Sequence, residues 1–192
     1  MTGGARTTVH DVGCAIIHQA CRAAGLRAQR EVLAPDLATP KLTQPRVDVD
    51  AWGHTGLPHL RIDFTTVTAS AARYQRAQHR PAQAAETAEQ GKANKYGHRP
   101  GGVGVTGAAM ELSGRHGSSL DSILRKFAGY ARANATATGT DAPRHLQIWR
   151  MALSVALARF SHAAISSAAG ADVRTVPQCT ALPGFVKHQV RW

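Results

Sequence analysis

Apolar positions along the chain change period several times, and each change marks an element. Residues 8–25, TVHDVGCAIIHQACRAAG, put Val12, Ile16, Ala20 and Ala23 on one helical face. Thr8 with Asp11 three residues on resembles a capping box, with Asp in place of the usual Glu, and Gly25 predicts the stop. Residues 26–34, LRAQREVLA, alternate and predict a first strand. Pro35, Pro40 and Pro45 make 35–45 a loop. Strict alternation then returns twice. In RVDVDAW, Val47, Val49 and Ala51 point one way and Asp48, Asp50 and Trp52 the other. In LRIDFTTV, Leu60, Ile62, Phe64 and Thr66 share a face, and Arg61, Asp63, Thr65 and Val67 share the opposite one. The turn residues of GHTGLPH between them predict a hairpin with both acidic faces on one side.

Helical period follows at 81–97, PAQAAETAEQGKANKYG, with Pro81 in the first turn and Gly91 a weak point. Glu89, Lys92 and Tyr96 form one stripe on it at i, i+3, i+7. Residues 98–105, ending in GGVGV, predict a short strand. SSLDSILRKFAGYARAN is an amphipathic helix with Leu120, Ile123, Leu124 and Phe127 inward and a box-like start at Ser118 and Asp121. After a loop at 135–143 comes a long helix, RHLQIWRMALSVALARFSHAAISSAAG, with Leu146, Trp149, Leu153, Leu157, Phe160 and Ala164 inward. Residues 1–170 therefore read as one α/β (α+β) domain. Its order is helix, three strands, helix, strand, then two further helices around a small mixed sheet. Residues 171–192 read as a flexible tail.

Composition narrows the function classes. The 192 residues carry 43% hydrophobic and 18% charged side chains, the profile of a globular domain with a real core. No run of 18 apolar residues appears, so no membrane span is expected, and MTGGARTTVHD lacks a signal-peptide core. Three scattered cysteines, Cys14, Cys21 and Cys179, make a disulfide framework improbable and a reducing, intracellular compartment the default. The net charge of +11 favours a polyanionic partner such as DNA, although an Ala-, Arg- and Gly-rich composition raises basicity without any binding function. The placement of acids says more. Glu31, Asp36, Asp48, Asp50 and Asp63 fall within 33 residues, and no acid occurs from Phe64 to Ala85, where Arg73, Arg76 and Arg80 stand. That is the pattern of a metal site beside an anion track.

Two carboxylates on adjacent strands suit a hydrated Mg²⁺ or Mn²⁺, which keeps several waters and needs only one or two protein oxygens. Asp63 and either Asp48 or Asp50 are the metal candidates. Held against a phosphodiester, such an ion activates a water and stabilises the leaving oxygen. The ordered set RVDVDAWG, LRIDFTTV and AEQGKANKY resembles the PD-(D/E)XK, restriction-endonuclease-like superfamily. Within it, the chain is similar to the endonuclease domain at the C-terminus of site-specific non-LTR retrotransposon polyproteins. The match runs from VHDVGCAIIHQACRAAGLRAQRE, as opening helix and strand, to LSVALARFSHAAI as closing helix.

The resemblance implies a restriction-endonuclease-like αβββαβ core with two extra C-terminal helices, and a metal-dependent endodeoxyribonuclease that nicks target DNA for a retroelement. Asp63 then stands as the central metal-binding acid. Asp48 stands as the first acid, with fourteen residues between them, and Asp50, with twelve between, fits nearly as well. Glu31 stands as an additional acid on the first strand. The family lysine is absent from position 65, where Thr65 stands, so Lys92 or Lys95 from the next helix would steady the phosphate with Thr65. The implied partners are DNA and other domains of a retroelement polyprotein, and the implied location is nuclear. The missing strand lysine motivates a rival, a decayed domain that binds nucleic acid through its basic surface. A basic protein with only a protein partner is a third reading.

Other patterns carry less. His10, Cys14, His18 and Cys21 fall near one helical face, yet eleven helical residues rise roughly 16 Å and zinc ligands must lie about 2.0–2.3 Å from the ion. Only a neighbouring pair could share a metal, and no partner Cys/His pair stands elsewhere. PGGVGVTG lacks the strand–loop–helix context of a dinucleotide loop. The basic VKHQVRW end reads as part of the tail.

Overall fold

A computed structural model describes residues 3–40, 42–53, 59–77, 80–96, 103–137 and 144–168. The order is α1 (Gly3–Ala23), β1 (Arg27–Leu33), β2 (Arg46–Trp52), β3 (Leu60–Val67), α2 (Gln83–Tyr96), β4 (Val105–Glu111), α3 (Ser118–Ala137) and α4 (His145–Ala168), with 3-10 turns at Pro35–Leu37 and Ala72–Ala77. The expected α+β class, with its element order and small mixed sheet, is what the chain forms. The strands lie in sequence order, β1-β2-β3-β4. The first two pairings are antiparallel, and β3 pairs β4 in parallel. A parallel neighbour needs a crossover, and α2 supplies it. The tail at 171–192, including VKHQVRW, lies outside the described residues. No helix among the described residues is long and apolar enough to cross a membrane.

Both sheet faces are covered. Val49, Ala51, Ile62, Phe64, Ala108 and Met110 pack in one core with α1, α3 and α4. On the other face Val67 and Ala109 meet Ala84, Ala85 and Ala88 of α2. Small side chains let α2 lie close to the sheet. Gly107 sharpens the effect, because a Cβ there would collide with the Glu89 carbonyl and come within 2.8 Å of Lys92 Cβ. Gly13 does the same for α1, where the Phe64 ring occupies the space a Cβ would need. Phe64 is fully buried, so its truncation to Ala is worth about 3–5 kcal/mol.

Several local expectations shift. α1 begins at Gly3, so Thr8 and Asp11 lie within it and form no cap. Its buried face includes Cys14, Ile17 and Cys21, while Ala23 is exposed. Its end is as expected. Gly25 has φ 83°, and the Gly25 and Leu26 amides donate to the Arg22 and Cys21 carbonyls, both at 3.0 Å. Pro81 precedes α2, which starts at Gln83. The fourth strand runs from Val105 rather than ending there, since burial on both faces hides its period-2 signal.

The start of α3 is capped from elsewhere. Glu89 of α2, only 4% exposed, accepts the Ser119 and Leu120 amides, each at 2.9 Å, and the Ala109 amide at 3.1 Å. The Asp121 carboxylate turns instead to Arg125 and Arg150. A second buried acid, Glu111, accepts the Ala84 amide in the first turn of α2 at 3.3 Å and the Ser113 hydroxyl at 3.0 Å. Carboxylates at helix N-termini meet unpaired amides and the positive end of the helix dipole.

Candidate active site on the central strands

Asp63 lies at the middle of β3, opposite Gly107 of β4 in the parallel ladder. It is 4% exposed. Because Gly107 admits α2 closely, the helix brings two side chains onto this carboxylate. Lys92 Nζ donates to Oδ1 at 2.5 Å, and the Tyr96 hydroxyl donates to Oδ2 at 2.5 Å. Lys95 Nζ lies 3.8 Å from Oδ2 and sits over the Tyr96 ring, 4.6 Å from its centroid. The Tyr96 phenol is pushed up, first by burial and then by the Asp63 carboxylate it serves, so it stays a donor. Of the two helix lysines the resemblance named, Lys92 hydrogen-bonds Asp63 and Lys95 lies 3.8 Å from it. Tyr96 had stood out only as a member of the Glu89–Lys92–Tyr96 stripe, and that stripe was the available signal.

Asp48 sits where β2 and β3 part. Their ladder runs Ala51↔Leu60, Asp50↔Arg61 and Val49↔Ile62 and goes no further. Past it, Asp48 Oδ2 accepts the Phe64 amide at 2.6 Å, taking the place of the missing strand carbonyl. Oδ2 also meets His10 Nε2 of α1 at 3.2 Å. On β1 the ladder to β2 skips Glu31, whose φ is 55°, a left-handed backbone worth about 1–2 kcal/mol of strain away from glycine. Here β2 turns over. Val47 packs with Tyr96 and Val105, whereas Val49 packs in the core with α1.

The alternation therefore breaks at Asp48, which faces α1 on the same side as Val49. Asp50 keeps the opposite side, pairs across from Arg61 and binds His59. The expectation that Asp48 and Asp50 share a face is thus corrected. Between these two, Asp48 is the acid electrostatically tied to the Asp63 cluster. Burial pushes its carboxyl up, but the His10 hydrogen bond and charge, the Phe64 amide and the Lys92 charge together hold it below the usual range. Tyr96 in turn feels both Asp63 and Asp48.

The remaining candidates disperse. Glu31 is exposed and meets Arg46 at 3.5 Å. Thr65 is half-buried on β3 opposite Ala109. Arg73 stacks on Tyr74, with its guanidinium 4.6 Å from the ring centroid. Arg80 pairs with Glu86. The Arg76 side chain lies outside the described residues.

The first helix holds what sequence reasoning set aside. His18 Nε2 bonds the Ala28 carbonyl at 3.1 Å, and Cys21 is a buried thiol pushed up to about 12 by desolvation. His10 and Cys14, however, meet a third donor that is neither Cys nor His. His10, Cys14 and Asp48 place their donor atoms within 4.8 Å of one another.

Asp48 accepts the Phe64 amide and meets His10 through Oδ2, whereas Asp63 accepts from Tyr96 and Lys92 through both of its oxygens. A buried aspartate is thus held by a lysine and a tyrosine, and a second aspartate lies at the strand fork. No protein-family model matches the chain, and no curated protein matches its sequence.

Proposed function

We propose that the chain is a metal-dependent DNA endonuclease of the restriction-endonuclease-like kind, nicking target DNA in the service of a retroelement. The observation that carries this is the convergence on Asp63. A lysine reaches it from α2 at 2.5 Å, in a fork of strands whose other wall is Asp48. Support also comes from the element order and from a net charge of +11. A Mg²⁺ or Mn²⁺ bound by Asp48 and Asp63 would supply an activated water and offset charge on the leaving oxygen.

The chain's own residues do the rest. Asp63 presents its carboxylate at a fixed height on β3, because Tyr96 holds Oδ2. Lys92, about a quarter exposed, offers an ammonium point charge to a scissile phosphate from the solvent side of the carboxylate. Lys95 adds a second charge beside it. Hydrolysis joins the water oxygen to phosphorus and breaks one ester P–O bond; the water gives up a proton to solvent, and the departing sugar oxygen takes one up from solvent to leave as a hydroxyl.

A second function, a decayed nuclease domain that binds nucleic acid through its basic surface, is favoured by one observation. Both Asp63 oxygens already accept protein donors, and Thr65 stands where the strand lysine would be. Plasmid nicking separates the two. With Mg²⁺ or Mn²⁺ the protein is expected to nick, EDTA to stop it, and Asp63→Asn to lower the rate by at least about 100-fold. DNA binding without metal-dependent nicking would move the assignment to the binding module.

A further inference from the structure

We infer that His10, Cys14 and Asp48 form a binding site for a thiophilic divalent metal of the zinc class, distinct in chemistry from the hard-cation pair Asp48 and Asp63. His10 and Cys14 are four residues apart on α1, the spacing that puts two ligands on one helical face. The third donor comes from β2, brought round by the turn-over of the strand at Asp48.

The three donor atoms lie close enough together that a turn of the imidazole would bring them onto one ion. Zinc bonds of about 2.0–2.3 Å to nitrogen, oxygen and sulfur require donor edges of about 3.4 Å between nitrogen and oxygen and about 3.6 Å between nitrogen and sulfur. Here His10 Nε2 lies 3.2 Å from Asp48 Oδ2, and Cys14 Sγ lies 3.8 Å from the same nitrogen and 3.6 Å from Nδ1. The other ring nitrogen, Nδ1, lies 3.6 Å from the Asp11 carboxylate, an ion-pair separation longer than a hydrogen bond.

Access and polarity agree. Cys14 is fully buried against the core, whereas the His10 side chain is 30% exposed, so an ion can enter past the imidazole while the thiol stays shielded. Three protein ligands leave the fourth position for water. A thiolate among them selects zinc or cobalt over magnesium. The inference does not rest on the nuclease reading, although Asp48 is common to both sites and occupancy of one leaves the other a single carboxylate.

Cobalt is the probe, because a cobalt–thiolate bond gives a near-ultraviolet charge-transfer band. The full chain carrying Cys21→Ala and Cys179→Ser leaves Cys14 as its one thiol. Titrated with Co²⁺ in the absence of DNA, it should develop the band with saturation at about one equivalent. Adding Cys14→Ser should abolish the band and weaken binding by more than about 100-fold. If Cys14→Ser does not fold, His10→Gln keeps the thiol and should still weaken cobalt binding to a similar degree. Absence of a band in the parent, or a band that survives at full strength and affinity in His10→Gln, would overturn the site. Since no nucleic acid is present, a missing nuclease activity leaves this result untouched.

Discussion

At the scale of single residues, five of the chain's twelve acids occupy buried, partnered positions. Asp48, Asp50, Asp63, Glu89 and Glu111 are all buried in a protein that carries 23 basic residues. Burying a carboxylate is unfavourable unless it is hydrogen-bonded or paired, and each of these is. The His10–Asp48 pair gives stability a definite pH dependence. The Asp48 hydrogen bond, reinforced by Cys14, raises His10 from its ordinary 6.5 to about 11 against the opposing effect of burial.

A raised folded value means that His10 contributes in full below about 6.5, and that this contribution is lost as pH rises toward about 11. Asp48, held below its ordinary 3.8, contributes above that value and loses its share as pH falls. Urea unfolding in EDTA should therefore show the pair's support intact between about 4 and 6.5 and declining steadily on the alkaline side. His10→Gln should flatten the alkaline decline. An equally steep decline in that variant would show that other groups carry it.

At the scale of elements, α2 organises the molecule, and one stripe on it does so. Glu89 caps α3, Lys92 and Tyr96 hold Asp63, and the close approach that permits both depends on Gly107. Glu89→Ala removes the carboxylate acceptor of three amides, two of them buried, each bond to a carboxylate worth about 1.5–3 kcal/mol. A loss of at least about 3 kcal/mol in denaturant unfolding is expected, with Glu89→Gln intermediate. A loss below about 1 kcal/mol would mean that water replaces the carboxylate there. Gly107→Ala should cost about 2–3 kcal/mol through overpacking. By moving α2 outward it should also lower nicking more than an equally destabilising change in α4 such as Leu157→Val.

At the scale of the whole molecule, the excess of positive charge is the property a nucleic acid would meet first. Each phosphate neutralised by Lys or Arg should contribute about −0.9 to the slope of log affinity against log salt. Lys95→Ala and Arg73→Ala should each lessen that slope by about 1 if their charges face the backbone of bound DNA. Fluorescence anisotropy with a duplex across a salt series reads it directly. A slope unchanged by either substitution would remove these two residues from the interface. Arg80 is a weaker candidate, because Glu86 already partners it.

Much of this was legible in one dimension. Alternation and helical period reflect local geometry, so the order of eight main elements, the antiparallel hairpin of β2 and β3 and the two C-terminal helices could be read from residue spacing. Gly25 stops α1 because only a residue without a Cβ takes that backbone easily. Burial on both faces removed the alternation that would have marked β4, so its register was displaced. What only the tertiary structure decided are the relations between elements. The side on which Asp48 emerges depends on where two ladders end, since strand alternation holds only while the strand stays flat. Glu89 could not be read as the cap of α3, because its partners lie 30 and 31 residues away. The His10–Cys14 pair lacked its third donor until β2 carried Asp48 beneath α1. Spacing along the chain sets which side chains can share a face, and only the packing of one element on another settles which faces meet.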